Sequence, residues 1–195
     1  MFKAVLDACV LYPSTQRDFL LQLAAEGAYA PLWSSGILGE LEAALEERHQ
    51  EKGLDPAGSA AYRKRLLDRM TQAFPGATRE APRARRYNYD IADPDDGHVV
   101  HAAIIGKADV IVTSDKRAKM ERSVALAEAE IDVLPAHVFA ANTVSAHPDA
   151  GVRALLQISR RLENPPRSPQ EVLGWLAGTH HMIEVAEILL PRLAD

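Results

Sequence analysis

The sequence predicts an α/β fold built on a parallel, doubly wound sheet, and three observations carry that prediction. Short apolar segments of strand length stand at residues 2–6, 30–33, 109–113 and 131–134. Between them lie stretches whose apolar residues recur at helical spacing, so strands and helices alternate, as they do when crossover helices join parallel strands. After Pro135 the strand signal stops and only helical patterns follow, which predicts a helical C-terminal extension.

Taken in order, residues 2–6 read as a short buried strand that ends at Asp7. Tyr12-Pro13-Ser14 breaks the pattern, and Ser14 or Thr15 is expected to cap a helix that runs to about Glu26. Phe19, Leu20, Leu23 and Ala24 form its inward face, and Gly27 stops it. Ser34 and Ser35 follow the second strand as capping candidates for a helix to about His49. Ile37, Leu38, Leu41 and Leu45 make that helix's apolar stripe. Glu40 lies beside the stripe, while Glu42, Glu46 and Glu47 are assigned to the solvent side.

Residues 53–58 read as a break and 60–74 as a further helix, with Leu66, Leu67, Met70 and Phe74 inward and Pro75-Gly76 as its stop. Residues 77–89 are basic and carry no clear pattern. Asp93 and Pro94 fit the N-cap and first position of a helix to about Ile105. The strand at 109–113, a short helix near 117–128 and the strand at 131–134 complete the alternating part. Further helices are expected around 137–142, over 148–162, and from Ser168-Pro169-Gln170-Glu171 to near Leu193. The expected division is 1–146 and 147–195, with the second part the helical extension.

A chain of 195 residues with 47% hydrophobic and 25% charged residues can bury a sizeable core. No apolar run approaches a membrane span, so no membrane partner is expected. A lone cysteine, Cys9, excludes an internal disulfide; with no signal-peptide pattern, the cytoplasm is the expected compartment. The formal net charge of −5 argues against a protein that coats nucleic acid. An enzyme acting on nucleic acid remains compatible, because a carboxylate cluster lowers the net charge by itself. Basic runs stand at Arg79, Arg83, Arg85 and Arg86, and at Lys116, Arg117, Lys119 and Arg122.

In open parallel sheets, ligands bind beyond the carboxyl ends of the strands. Asp7 follows the first strand and Asp115 the strand at 109–113, so the two converge if those strands are neighbours. Asp96 opens the helix before the second of these strands, and Glu40 on its helix edge can reach the same mouth. Four acids around one cleft repel unless a counter-charge is present. Mg²⁺ or Mn²⁺ takes oxygen ligands and binds with the help of phosphates. Each acid also has a structural explanation. Asp7 and Asp115 suit turns, Glu40 a solvated face, and Asp95 and Asp96 a helix dipole; only the set together points to a metal.

His98 and His101 invite a zinc reading, but no HExxH spacing exists and adjacent His180 and His181 face different ways. Cys9 reads as a small buried core residue rather than a nucleophile. Trp175 reads as packing within the tail.

Four segments in order, LDACVLYPS at 6–14, WSSGILGELE at 33–42, DPDDGHVVHAA at 93–103 and ADVIVTSD at 108–115, resemble the PIN-domain nucleases, especially bacterial VapC-type toxins of toxin–antitoxin pairs. The resemblance covers about residues 1–140. It implies a PIN-like three-layer fold with a central parallel sheet and a Mg²⁺- or Mn²⁺-dependent endoribonuclease acting on RNA. It places the metal and the catalysis on Asp7, Glu40, Asp96 and Asp115. Thr113 matches the hydroxyl residue near the fourth acid, and Lys116, Arg117 and Lys119 are expected to meet the substrate. Cys9 stands where the family commonly has Asn or another small polar residue, which puts one hydrogen bond to the first acid in question. An antitoxin protein and a homodimer are the partners implied. The alternatives are a PIN-domain nuclease in housekeeping RNA processing and a non-catalytic domain that binds RNA or protein.

Overall fold

The computed structural model describes residues 1–193. Its sheet has five strands in the order β3-β2-β1-β4-β5, with β1 Lys3–Leu6, β2 Ala30–Ser34, β3 Thr78–Arg79, β4 Val110–Val112 and β5 Asp132–Leu134. β1 pairs parallel with β4, aligning Leu6 with Val112, and β2 pairs parallel with β3. The expected parallel α/β architecture is therefore present, and the two strands whose ends carry Asp7 and Asp115 are direct neighbours. β1 and β4 are fully buried over Ala4–Leu6 and Val110–Val112, which explains their continuous apolar runs.

The chain divides into two compact units. The first to be described comprises residues 2–12 and 31–133. It carries the central strands with α1 Ala8–Leu11, α3 Ser35–Glu51, α4 Pro56–Ala73, α5 Gly97–Gly106 and α6 Val124–Glu128. Ser34 caps α3 by accepting from the Ile37 N–H, as its residue type predicts. Helix α4 begins earlier than the sequence pattern suggests. Asp55 caps it through the Gly58 N–H and Pro56 occupies the first turn, so the glycine-marked break is confined to the residues before Asp55. Of its expected inward residues Met70 is buried, while Leu66, Leu67 and Phe74 are only half-buried.

The segment 77–89 contributes the two-residue strand β3, tied down by a Trp33 indole N–H to Thr78 hydroxyl bond of 2.9 Å. The expected helix near 117–128 is shorter. A 3-10 turn at Met120–Arg122 leads to Ser123, which caps α6.

The other unit comprises, among the described residues, Met1, 13–30 and 134–193. It contains α2 Ser14–Ala25, α7 Ala136–Ala146, α8 Pro148–Arg161, α9 Pro169–His180 and α10 Ile183–Leu189. Its core includes Phe19, Leu20, Leu23, Phe139, Leu155, Leu173, Leu176 and Val185. Tyr29 meets Phe139 edge to face and donates its hydroxyl to the Leu20 carbonyl over 2.8 Å. Helix α2 is preceded by Pro13 and has no side-chain cap, contrary to the expectation for Ser14 or Thr15. The predicted capping box of Ser168 and Glu171 is present. The last predicted helix is two: His181, at φ 56°, ends α9 in the left-handed region, and α10 starts afresh. No helix among the described residues is long and apolar enough to cross a membrane.

Candidate metal centre

The turn after β1 puts Asp7 at the N-cap of α1, where its Oδ1 accepts from the Ala8 N–H over 2.7 Å. The capping explanation for Asp7 is thus correct, but it uses one oxygen only. Oδ2 points the other way and accepts from the Thr113 hydroxyl at 2.6 Å and the Cys9 thiol at 3.2 Å. Asp7 is buried, and burial raises its pKa against the lowering effect of the Thr113, Cys9 and Ala8 bonds.

Cys9 is exposed, not a buried core residue. Residues 8–11 form a short helix whose core-facing positions are taken by Val10 and Leu11, which turns Cys9 toward the strand ends. Its sulfur also accepts from the Ser114 N–H at 3.3 Å. The thiol therefore supplies the hydrogen bond that the departure from Asn put in question. Desolvation of the sulfur and the charge of Asp7 push its pKa up to about 12, so it is no thiolate nucleophile.

Asp115 ends β4's extension on the same side. Its N–H donates to the Thr113 hydroxyl oxygen at 3.0 Å, so one hydroxyl bridges the first and fourth acids. Arg117 lies along the Asp115 carboxylate, with Nε 3.0–3.1 Å from both oxygens, and holds its pKa below the usual range.

Glu40, one turn beyond the start of α3, is held from two sides. Arg83 Nε lies 3.2 Å from its Oε1 and His98 Nε2 lies 3.3 Å from the same oxygen. His98 is completely buried, and its Nδ1 sits 3.0 Å from the Ser34 hydroxyl. A lone pair on Nε2 would face a carboxylate, so Nε2 carries the proton and donates to Glu40. Gly36 makes this packing possible: a Cβ there would lie 2.7 Å from His98 Nδ1 and 2.9 Å from the backbone nitrogen of Arg83. Arg83 also reaches Asp95, at 3.4 Å, which gives that exposed carboxylate a partner besides the helix dipole.

Asp96 precedes α5 without capping it; Asp93 does the local work by accepting from the Asp95 N–H. Oδ2 of Asp96 is buried and has no hydrogen-bond partner among the described residues. Desolvation, followed by the charges of Asp7, Asp93, Asp115 and Glu40, raises its pKa to about 6. A buried carboxylate oxygen without a donor is costly, and a cation is the missing partner its chemistry fits.

All four predicted acids line one cleft of about 870 Å³, together with Asp93, Asp95, Glu47 and Glu51. Arg48, Arg83 and Arg117 are the cations of its wall, so eight carboxylates face three guanidinium groups. Glu47 is exposed, but to this cleft rather than to the outer face of α3. Lys116 and Lys119 are exposed and do not line the cleft; Arg117 does. One ligand atom from each of Glu40, Asp96 and His98 falls within 4.8 Å of the others. Both ring nitrogens of His98 already face partners, so the carboxylates are the better ligand candidates of the three.

His98, Ser34 and Arg83 have places in this arrangement that the sequence reading did not assign. The signal for His98 was its position two residues after Asp96, on the inward face of a helix whose other side chains, His101 apart, are apolar.

Parallel strands end in a carboxylate-lined cleft where Oδ2 of Asp96 has no hydrogen-bond partner among the described residues, an arrangement whose chemistry fits a hard cation. A family model described as PIN domain matches residues 3–117, more than half of the chain, and the chain belongs to that family. Membership implies a nuclease, a hydrolase that acts on nucleic acid. Neither the curated proteins nor the solved structures provide a match.

Proposed function

We propose that the protein is a Mg²⁺- or Mn²⁺-dependent endoribonuclease, the VapC-type toxin of a type II toxin–antitoxin pair, acting in the cytoplasm on RNA. The observation that carries the metal-dependent reading is the unpartnered, buried Oδ2 of Asp96 among three further acids. Asp7, Asp96 and Asp115 would hold the metal, with Glu40 a ligand directly or through water, or the group that orients the attacking water. When bound, such a cation lowers the pKa of a coordinated water and offsets charge building on the phosphodiester.

The chain's own residues prepare that site. Thr113 and Cys9 fix the inward oxygen of Asp7, and His98 and Arg83 fix Glu40. Arg117 neutralises Asp115 and presents an exposed guanidinium at the mouth, suited to a phosphate. Lys116 and Lys119 would add phosphate contacts further out. An antitoxin protein and a second copy of the chain are the proposed partners.

The test is cleavage of single-stranded RNA with Mn²⁺, with Mg²⁺ and in chelator, by the parent and by Asp96→Asn. Metal-dependent cleavage lost in the variant supports the enzyme reading; equal activity in chelator sinks it. Growth arrest on expression, relieved by Asp96→Asn, supports the toxin role, and unimpaired growth with a cleavage-competent protein removes it.

A further inference from the structure

The cleft does not end at the four acids. It continues along one face of α3, where Glu40, Ala43, Ala44, Glu47, Arg48 and Glu51 recur at helical spacing. Ala43 and Ala44 leave depth in this arm because they carry no side chain beyond Cβ. Opposite them stands Tyr12, the half-buried residue that ends α1. Arg48 lies 5.5 Å from the centre of the Tyr12 ring, and its Nη1 is 3.4 Å from the ring hydroxyl. The arm thus has a wall of one aromatic ring and one guanidinium, a floor of two alanines, and a rim of carboxylates.

We propose that this arm is a base-binding subsite for single-stranded nucleic acid, an inference that rests on the nuclease reading above. Tyr12 and Arg48 offer the stacking surface for one unpaired base. Glu47 and Glu51 repel phosphates, so the backbone stays by Arg83 and Arg117 and the base, not the sugar-phosphate, enters the arm. An ionised carboxylate only accepts hydrogen bonds. Glu47 therefore favours a base whose edge presents an amino group, as adenine, cytosine and guanine do, over uracil, whose single N3–H donor is flanked by two carbonyl oxygens that repel a carboxylate.

The probes are fluorescein-labelled eight-nucleotide oligo(A), oligo(C) and oligo(U) RNA, bound to the full chain in Ca²⁺ and followed by anisotropy. The parent should bind oligo(A) and oligo(C) more tightly than oligo(U). Tyr12→Ala should weaken binding about 5- to 100-fold, the range for losing one stacked base, while Tyr12→Phe keeps it within about twofold. Glu47→Gln should reduce the preference for oligo(C) over oligo(U) by about 2- to 10-fold, the worth of one hydrogen bond.

Glu47 is exposed, so that variant decides the question even if Tyr12→Ala melts early. A parent that binds none of the probes, or that prefers oligo(U), overturns the subsite. So does a folded Tyr12→Ala variant with unchanged binding, or an unchanged preference in Glu47→Gln. Incubating the parent with the same probes and Mn²⁺ tests the nuclease reading separately. Failure to cleave counts against the enzyme while the binding data still decide the subsite. Cleavage with KM unchanged in Tyr12→Ala removes the subsite and leaves the enzyme standing.

Discussion

The Thr113 hydroxyl donates to Asp7 over 2.6 Å, joining residues 106 positions apart across the ends of two neighbouring strands. The same oxygen accepts from the Asp115 N–H, so it ties the first and fourth acids of the site to one atom. Thr113→Val keeps the shape and removes both bonds. We expect a loss of about 1–3 kcal/mol in denaturant unfolding, because a buried carboxylate and a backbone donor lose a partner. Thr113→Ser should recover most of it. Equal stability of the Val variant would show that the bridge contributes nothing.

Asp96→Asn separates function from stability. The folded pKa of Asp96, about 6, lies above its ordinary value of 3.8. Its ionisation therefore costs stability: the cost appears as pH rises from the unfolded pKa to the folded one, and is fully present above about pH 6. At pH 7 in chelator the variant should be more stable by about 1–2 kcal/mol after allowance for solvent screening. Below about pH 4 the gain should vanish. Nuclease activity should be lost. A variant that melts lower than the parent in chelator at pH 7 contradicts the repulsion argument, since loss of a favourable helix-dipole charge would have that sign.

Metal binding should follow the same titration from the other side. A cation competes with the proton on Asp96, so Mn²⁺ affinity should be flat above about pH 6 and weaken below it. With one proton displaced, the fall approaches about tenfold per pH unit. Calorimetric titrations at pH 5, 6 and 7 measure this directly. Affinity independent of pH over that range would mean that Asp96 is not a ligand.

His98→Ala removes the buried ring between Ser34 and Glu40. A cavity and a freed Glu40 should follow, with a loss of about 2–4 kcal/mol in stability and a lower kcat. His98→Gln, which can still donate toward Glu40, should retain more activity than the Ala variant. If both variants keep the parent's kcat, Glu40 needs no such holder.

The basic side chains after β4 should report on phosphate contacts. Replacing Lys116, Arg117 and Lys119 together by Ala should weaken RNA binding across sequences and flatten the slope of log affinity against log salt by about 2, at roughly 0.7 per contact for single strands. Because Arg117 alone of the three lines the cleft, its single replacement should account for most of any change in kcat. An unchanged salt slope in the triple variant would exclude the run from the substrate path.

Local chemistry made much of this protein legible in its sequence. The apolar runs of β1 and β4, the Ser34 cap, the Asp93-Pro94 helix start and the Ser168 capping box depend on neighbours a few residues away, and pattern and residue type specify them. Three of the acids were legible because Asp7 and Asp115 follow strands and Asp96 starts a helix, and parallel topology sends those ends to one side; Glu40 lies inside α3 and reaches the same cleft from the helix face. Other features needed the tertiary structure, because their partners are distant in the chain. Nothing local says that Cys9 meets Ser114, that His98 is buried between Ser34 and Glu40, or that Arg83 crosses to Glu40. Helix α2 likewise packs with α8, far along the chain, through an apolar face whose sequence shows only that it needs a cover. The burial that leaves Asp96 Oδ2 without a donor belongs to the same class: desolvation is set by everything packed around an atom, and no spacing of letters records it.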